Sequence, residues 1–558
     1  MKRPNRSLGI LFLICAAFFS LQIAPRFWGD SIIEDEEWEL TAAYSYWKSG
    51  DVQTPCCNPA PGALCALPLL FMDLKPDPFH HDNFPDRSLW FLFMANASHL
   101  TAITVWSRAV GLLLGLLVGF LLFLAVRDGP FITSAATLVL WAFEPTLLAY
   151  YGTAKADPAM AFWFFLCLFY YARVQDRKKG LSFAGVGFLA GMTVVARYNG
   201  LLILPVLLAL ETARLKDLRW DWKKFSARAP QWFWGLAGGL GAITLTFLPG
   251  TWQDPHHSSP FHFFFQNLRF YTDSRSSLSG LTTFFAGHFW PQGSYLYFPY
   301  HLFFKTTLPF FGLLLLGVGG KLMDKIQMPR WYWMPPLVYL GLFFLMDKSM
   351  TIRHLLPVCP FLLLIAGKAL GWLWDSTRRS PLLVRSVPML LLAWHPASVL
   401  CNFPHHIAYT NDFLSGTQKA SLLDSTEWNL GQDMKRLAWL GKARGWKKVK
   451  LVTAGRTDPY FYGLAWEPWT RRDLVQPQPG TVYVMDPSIL NHPDFAAYFT
   501  RNSSWIWDCA PTGNIGGTLY YYEIAGTPDP DPDLSETIPS FPYYPKGIPP
   551  YRQAGTNK

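Results

Sequence analysis

Apolar residues along this chain gather in blocks of about 15–23, a length that crosses a bilayer as an α-helix. Eleven such segments are expected, at roughly 8–24, 104–126, 131–151, 158–172, 181–196, 198–210, 231–250, 302–320, 332–346, 354–374 and 382–400. The polar positions between them are unequal. Loops at 127–130, 173–180, 211–229, 321–330 and 375–380, with the N-terminus, hold 19 Lys/Arg in 54 residues; those at 25–101, 152–157, 251–301 and 347–353 hold 9 in 141. Basic loops stay on the cytoplasmic side, so the N-terminus is expected in the cytoplasm. The odd number of spans then puts residues 401–558 outside. The first apolar run resembles a signal peptide, but Pro25 follows Ala24 and no small-x-small site is present, so a retained anchor is expected.

The division that follows is a membrane domain over 1–400, an extracytoplasmic α/β domain over 401–527 and a Pro-rich, disordered tail over 528–558. The membrane domain carries a first outer loop at 25–101 and a second at 251–301. In the first, Asp35 to Lys48 reads as an amphipathic helix in the headgroup layer, with Trp38, Ala42, Tyr46 and Trp47 on one face. The second is rich in aromatics and His, which favours interfacial packing over metal binding. Beyond the last span, Gly431–Arg444 has helical periodicity. Lys450–Thr453, Thr481–Met485 and Thr518–Glu523 read as strands separated by Gly, Pro and Asp turns.

Composition agrees with this pattern. The chain is 51% hydrophobic and 15% charged, where soluble proteins carry about 25% charge. The net charge of +10 sits in short loops between apolar blocks, so it marks membrane topology rather than a nucleic-acid surface. Eight cysteines form no CxxC pair and no Cys/His metal spacing. A disulfide such as Cys56–Cys65 could form on an oxidising face.

Charge at membrane depth is costly and marks function more often than charge in loops. Five acids crowd Glu34-Asp35-Glu36-Glu37-Trp38-Glu39, directly after the first span. Glu144, Lys155 and Asp157 lie at the second outer turn, Arg197 between two apolar runs, Lys305 at the start of the eighth span, and Arg353-His354 at the start of the tenth. All fall on one face. Arginine offers a fork matched to phosphate oxygens, and a carboxylate beside it can take a proton from an acceptor. The alternative is that these cations snorkel to headgroups or pair with Glu144 and Asp157.

In order along the chain, Asp35-Glu36 through Ala43–Asp51 to Asn58-Pro59, Glu144-Pro145 through Asp157, Tyr297-Phe298-Pro299 with Lys305-Thr306-Thr307-Leu308-Pro309, Ile352–Phe361, and Ile407–Asn411 with Asp424–Asp433 form a collinear set. The set resembles the GT-C membrane glycosyltransferases of the protein O-mannosyltransferase and aminoarabinose transferase group, specifically the bacterial dolichyl-phosphate-mannose-protein mannosyltransferase-like family. Two departures stand out. The family's His-Pro-Pro-Leu after Asn-Pro is Ala60-Pro61-Gly62-Ala63-Leu64 here, and its Asp-Ser-x-x-Asp-Trp-Gly-Gln run is Asp424–Gln432 in altered form.

The resemblance implies a mainly α, polytopic membrane helical bundle of GT-C type with about eleven spans and a small outer α/β domain. It implies a sugar transferase of a bacterial inner membrane, taking a polyprenyl-phosphate-linked sugar to an extracytoplasmic acceptor (protein, lipid or glycan). Asp35 is then the general base, with Glu36 and Asp157 beside it. Lys155, Arg197, Lys305, Arg353 and His354 hold the donor phosphate, and Trp38 and Tyr297 line the substrate cavity. No cofactor is required; a divalent metal is permitted by the chemistry but not indicated. Two other readings remain open: an inactive scaffold of the same fold, favoured by the two departures, and a transporter of lipid-linked sugars.

Overall fold

The structure, a computed structural model, describes residues 6–52, 64–76, 84–176, 180–217, 226, 228–254, 258–278, 283–346, 351–414, 418–453, 455, 457–491, 498–499 and 504–526. Cys56, Cys57, the Asn58–Leu64 departure up to residue 63, and the tail from 527 lie outside them.

Each of the eleven apolar segments contains helix. Among the described residues, five helical stretches are long and apolar enough to cross a membrane: Arg6–Gly29, Ala97–Val126, Ala229–Trp252, Ile352–Thr377 and Leu382–Leu400. Phe131–Ala142, Gly180–Ala196 and Leu308–Leu322 are shorter apolar helices. The chain is a multi-pass membrane protein. Ile352–Thr377 is its centre, because nearly every side chain from Ile352 to Leu370 is buried. Gly367 and Gly371 let this helix lie directly against Thr137 and Thr133 of Phe131–Ala142. The helices Gly180–Ala196 and Ala229–Gln253 meet along a second small-residue seam, where Gly187 faces Gly235 and Gly191 faces Gly239. In lipid, such close backbone approach replaces the hydrophobic drive that holds helices together in water.

Two expected spans are interrupted, and both breaks have local causes. The 131–151 run stops at Phe143. Pro145 then opens the short helix Pro145–Tyr150, capped by Glu144 Oε2 accepting from Leu147 N at 2.6 Å. The 302–320 run divides at Thr306, between Tyr297–Lys305 and Leu308–Leu322; Thr307 caps the second helix, which has Pro309 in its first turn. Proline fits the first turn of a helix and not its interior.

Between residues 254 and 301 the described residues include the helix Pro260–Leu278 and a hairpin of β1 (Thr283–Phe285) with β2 (His288–Trp290). Beyond the last apolar helix, β3 (Val449–Val452), β4 (Glu467–Pro468), β5 (Val482–Met485), β6 (Gly513–Ile515) and β7 (Leu519–Glu523) form one sheet in the order β4-β3-β5-β7-β6. β3 is parallel to β4 and β5, and β7 is antiparallel to β5 and β6. The helix Met434–Arg444 packs on one face through Met434, Leu437 and Ala438.

Candidate active site

The acidic stretch opens helix α2 (Glu36–Ser49), which follows α1 (Arg6–Gly29) after a six-residue connection. Burial changes the picture of α2. The sequence suggests a surface helix with one wet face, yet Glu36, Glu37, Glu39, Leu40 and every residue from Thr41 to Tyr46 are buried. Tyr44 stacks on Phe91, and the Tyr46 hydroxyl donates to Thr246 O at 3.0 Å. Trp47, at 42%, and Lys48 are the exposed positions, while Trp38 is half-buried. The helix is therefore enclosed by protein rather than laid in headgroups.

Asp35 precedes α2 with φ 70° and ψ −24°, in the left-handed region, where Asp is among the few side-chain-bearing residues tolerated. An Asp at this position ordinarily accepts from an amide of the first turn; here it makes no such cap. The neighbouring Glu36 does the local work. Its Oε2 accepts from Ile33 N at 3.0 Å, its Oε1 accepts from Ala154 N at 2.7 Å, and Arg108 bonds both oxygens at 2.9 and 2.6 Å. With four donors and no exposure, Glu36 is a buried structural anchor whose proton-accepting sites are occupied.

The Asp35 carboxylate is thereby left to face two cations from other stretches of the chain. Its Oδ2 accepts from Lys155 Nζ at 2.9 Å and lies 2.8 Å from Arg353 Nη2. Lys155 caps the helix Ala156–Val174, and Asp157 sits in that helix's first turn, where the dipole favours a carboxylate. Arg197, in extended backbone between Gly180–Ala196 and the 3₁₀ turn Tyr198–Leu202, places Nη1 2.8 Å from Asp157 Oδ2 and 3.6 Å from Glu39 Oε1. Arg353 Nε lies 3.9 Å from the same Asp157 oxygen. Four separate stretches of chain thus deliver Asp35, Glu39, Lys155, Asp157, Arg197 and Arg353 to one cluster.

Accessibility separates their roles. The Asp35 side chain is 26% exposed, Arg197 20% and Arg353 12%, whereas Lys155 is fully sealed and Asp157 nearly so. Burial alone would raise the Asp35 carboxyl, but Lys155 and then Arg353 outweigh it and hold it well below the usual carboxylate range. Glu39 moves the other way: burial pushes it up to about 7, against the pull of Arg197 and Lys155. Burial also takes Glu37 up to about 8, with Asp35 and Glu34 adding to the rise.

Two residues expected at the donor phosphate, His354 and Lys305, and one expected in the substrate cavity, Tyr297, lie deeper. His354 is buried, with Nδ1 3.1 Å from Asn199 Nδ2 and 3.9 Å from Asp157 Oδ1. Lys305 directs its ammonium to the carbonyls of Ile407, Tyr409 and Glu427, each at 2.8 Å. Tyr297 is fully buried and donates to Glu427 Oε1 at 2.8 Å, the oxygen that also accepts from Ile352 N at 2.9 Å. Lys305, Tyr297 and Glu427 therefore form a layer behind Arg353 that fixes its backbone, and Tyr297 does not line an open cavity. Glu39 stood in the acidic cluster with no role of its own, and Arg108 and Glu427, which also belong to the site, were not singled out from sequence. Arg108 had a signal, as a lone Arg inside a long apolar run.

Among the described residues, no group of three or more His, Cys, Asp and Glu side chains is arranged to hold a metal ion. Cys65 is a buried free thiol.

The fold and the cluster define a multi-pass, mainly helical membrane protein with an ion-pair site at one end of its bundle. Three solved structures are similar to it in chain course. ArnT from Cupriavidus metallidurans bound to undecaprenyl phosphate is 14% identical, with TM-score 0.43 over 93% of this chain and 98% of that one. The oligosaccharyltransferase of Archaeoglobus fulgidus is 12% identical, with TM-score 0.45 over 83% and 60%. The arabinosyltransferase EmbB of Mycobacterium smegmatis is 13% identical, with TM-score 0.40 over 65% and 30%. No family model and no curated protein matches the chain.

Proposed function

We propose that the chain is an integral-membrane glycosyltransferase that moves a sugar from a polyprenyl-phosphate donor to an acceptor outside the cytoplasm. One observation carries the reading: two cations from separate outer turns, Lys155 and Arg353, converge on a single oxygen of the partly exposed Asp35. A lipid phosphodiester, anionic and anchored at the same depth, fits cations so placed. The collinear motifs around these residues support the same class of reaction.

In the step itself, an acceptor O–H loses its proton to Asp35 as its oxygen attacks the anomeric carbon. The bond from that carbon to the phosphate oxygen breaks, and its electron pair leaves on the polyprenyl phosphate. Arg353, with Arg197 beside it, stabilises that departing charge. Asp157 orients both guanidinium groups through its one carboxylate oxygen.

Asp35 as found is a weak base, because Lys155 and Arg353 stabilise its ionised form. Donor binding resolves this. A phosphate that draws Arg353 toward itself removes a cation from Asp35 and raises its basicity at the moment an acceptor needs it. The donor then binds first, and acceptor deprotonation depends on it.

A transfer assay tests the reading. Purified protein in nanodiscs is given radiolabelled polyprenyl-phosphate sugars and envelope membranes as acceptor source. Label moving to an acceptor in an Asp35-dependent manner is the expected result. Movement of intact donor across the bilayer without transfer would make the protein a transporter instead.

A further inference from the structure

The five residues before Asp35 are held by the outer α/β domain. Ser31 N donates to Gln432 O at 2.9 Å and Glu34 N donates to Leu430 O at 3.0 Å, so 430–432 run beside 31–34 like a short strand. Ser31 Oγ donates to Gly431 O at 2.6 Å. Thr457 Oγ1 donates to Ile32 O at 2.8 Å, and Ile32 N donates to the Tyr462 hydroxyl at 3.0 Å. Below them, Arg436 of the helix Met434–Arg444 reaches Asp30 Oδ1 at 2.5 Å. Gly431 makes this approach feasible: it has φ +78°, and a Cβ there would sit 3.1 Å from Thr457 Oγ1.

These contacts end where the backbone turns left-handed. The membrane half bonds Ser31–Glu34 as well: Arg108 donates to Ser31 O at 2.6 Å, Lys155 donates to Glu34 O at 3.0 Å, and Glu36 accepts from Ile33 N through Oε2 and donates through its backbone N to Ile33 O, each at 3.0 Å. A non-glycine residue at φ 70° persists only where its surroundings over-determine it. Here the outer domain shares that constraint with the membrane half, through five hydrogen bonds to Ser31, Ile32 and Glu34.

We propose that Thr457 and Tyr462 are positioning residues for Asp35. The outer domain then acts as a brace that aims the carboxylate at the cations and the acceptor, in addition to covering the site. This inference rests on Asp35 being the base of the transfer.

The test uses full-length protein in cells and in nanodiscs. The product measured is the envelope glycoconjugate that disappears from Asp35→Asn cells, and affinity is measured with undecaprenyl phosphate. Thr457→Val, which deletes one hydrogen bond without changing shape, should lower product formation about five- to tenfold. Protein level and undecaprenyl phosphate affinity should stay as in the wild type. Thr457→Ser keeps the hydroxyl and should restore product formation. Tyr462→Phe should behave like Thr457→Val and gives a second route if that variant folds poorly. Wild-type product formation in both variants overturns the brace, as does loss of product in proportion to loss of protein or of lipid-phosphate affinity. If Asp35→Asn cells lose no product at all, the base assignment fails first and the inference falls with it.

Discussion

Arg353 Nη2 lies 2.8 Å from Asp35 Oδ2, the oxygen that also accepts from Lys155 Nζ. An exposed ion pair contributes little, but this one is largely enclosed and shares a carboxylate between two cations. Its strength is also its functional problem, since a carboxylate so well paired neither accepts a proton easily nor leaves its cations available.

Replacing the carboxylate separates those two effects. Asp35→Asn should reduce transfer by at least about 10²-fold, the lower range of general-base assistance. Undecaprenyl phosphate affinity should be unchanged or tighter, because the anion that competes for Lys155 and Arg353 is gone. Turnover and lipid-phosphate binding, measured on one nanodisc preparation, check both halves. Near-normal turnover removes Asp35 from the chemistry.

Arg353 should behave in the opposite sense. Arg353→Ala should weaken undecaprenyl phosphate binding by roughly 10–100-fold, the range for one charge-assisted contact. Its effect on the acceptor KM should be much smaller. Arg353→Lys keeps a charge but not the fork, and should fall between. Equal loss toward donor and acceptor would count against a phosphate clamp.

Glu36 stands next to Asp35 in sequence and should answer differently to mutation. Glu36→Ala leaves the Arg108 guanidinium buried without its partner, which costs about 3–5 kcal/mol. The expected outcome is a lower melting temperature in detergent and less protein in the membrane. A stable Glu36→Ala protein that had lost only turnover would return Glu36 to the chemistry.

That contrast marks how far the sequence could be read. Apolar blocks of spanning length gave helices at all eleven segments, because burial in lipid demands a backbone that satisfies itself. The strands around 450, 483 and 520 followed from short runs set between Gly, Pro and Asp turns. Charges at apolar depth pointed to Asp35, Lys155, Asp157, Arg197 and Arg353, since such charges must find one another. Which of two adjacent acids faces the cations depends on a left-handed residue, and no composition signal encodes that turn. Lys305 belonged to the same inventory, yet three backbone carbonyls from the segment after the last helix take its donors. The brace joins residues some 400 positions apart, a pairing that leaves no periodicity behind.

The charge count of the cluster yields a pH dependence with a definite sign. Lys155, Arg197 and Arg353 supply three positive charges, and Asp35 and Asp157 supply two negative ones. Glu39, pushed up to about 7 by burial, decides the balance. Below pH 7 it is protonated and the cluster is net +1, matched to the single negative charge of a phosphodiester donor. Above pH 7 it ionises beside Arg197 and the net charge falls to zero. Donor affinity should therefore weaken as pH rises from 6 to 8, on the order of tenfold for one charge at this separation. Glu37, pushed up to about 8 by burial with Asp35 and Glu34 adding to the rise, acts in the same direction at higher pH, so wild-type data alone do not identify the group. Glu39→Gln does: it keeps the oxygen that accepts from Ala156 N and removes the titration. Calorimetric titration with a polyprenyl-phosphate sugar at several pH values should show that Glu39→Gln loses the weakening around pH 7 and holds there the affinity the wild type reaches at low pH, with any decline left near pH 8 belonging to Glu37. A profile unchanged by Glu39→Gln would assign the pH dependence to another group.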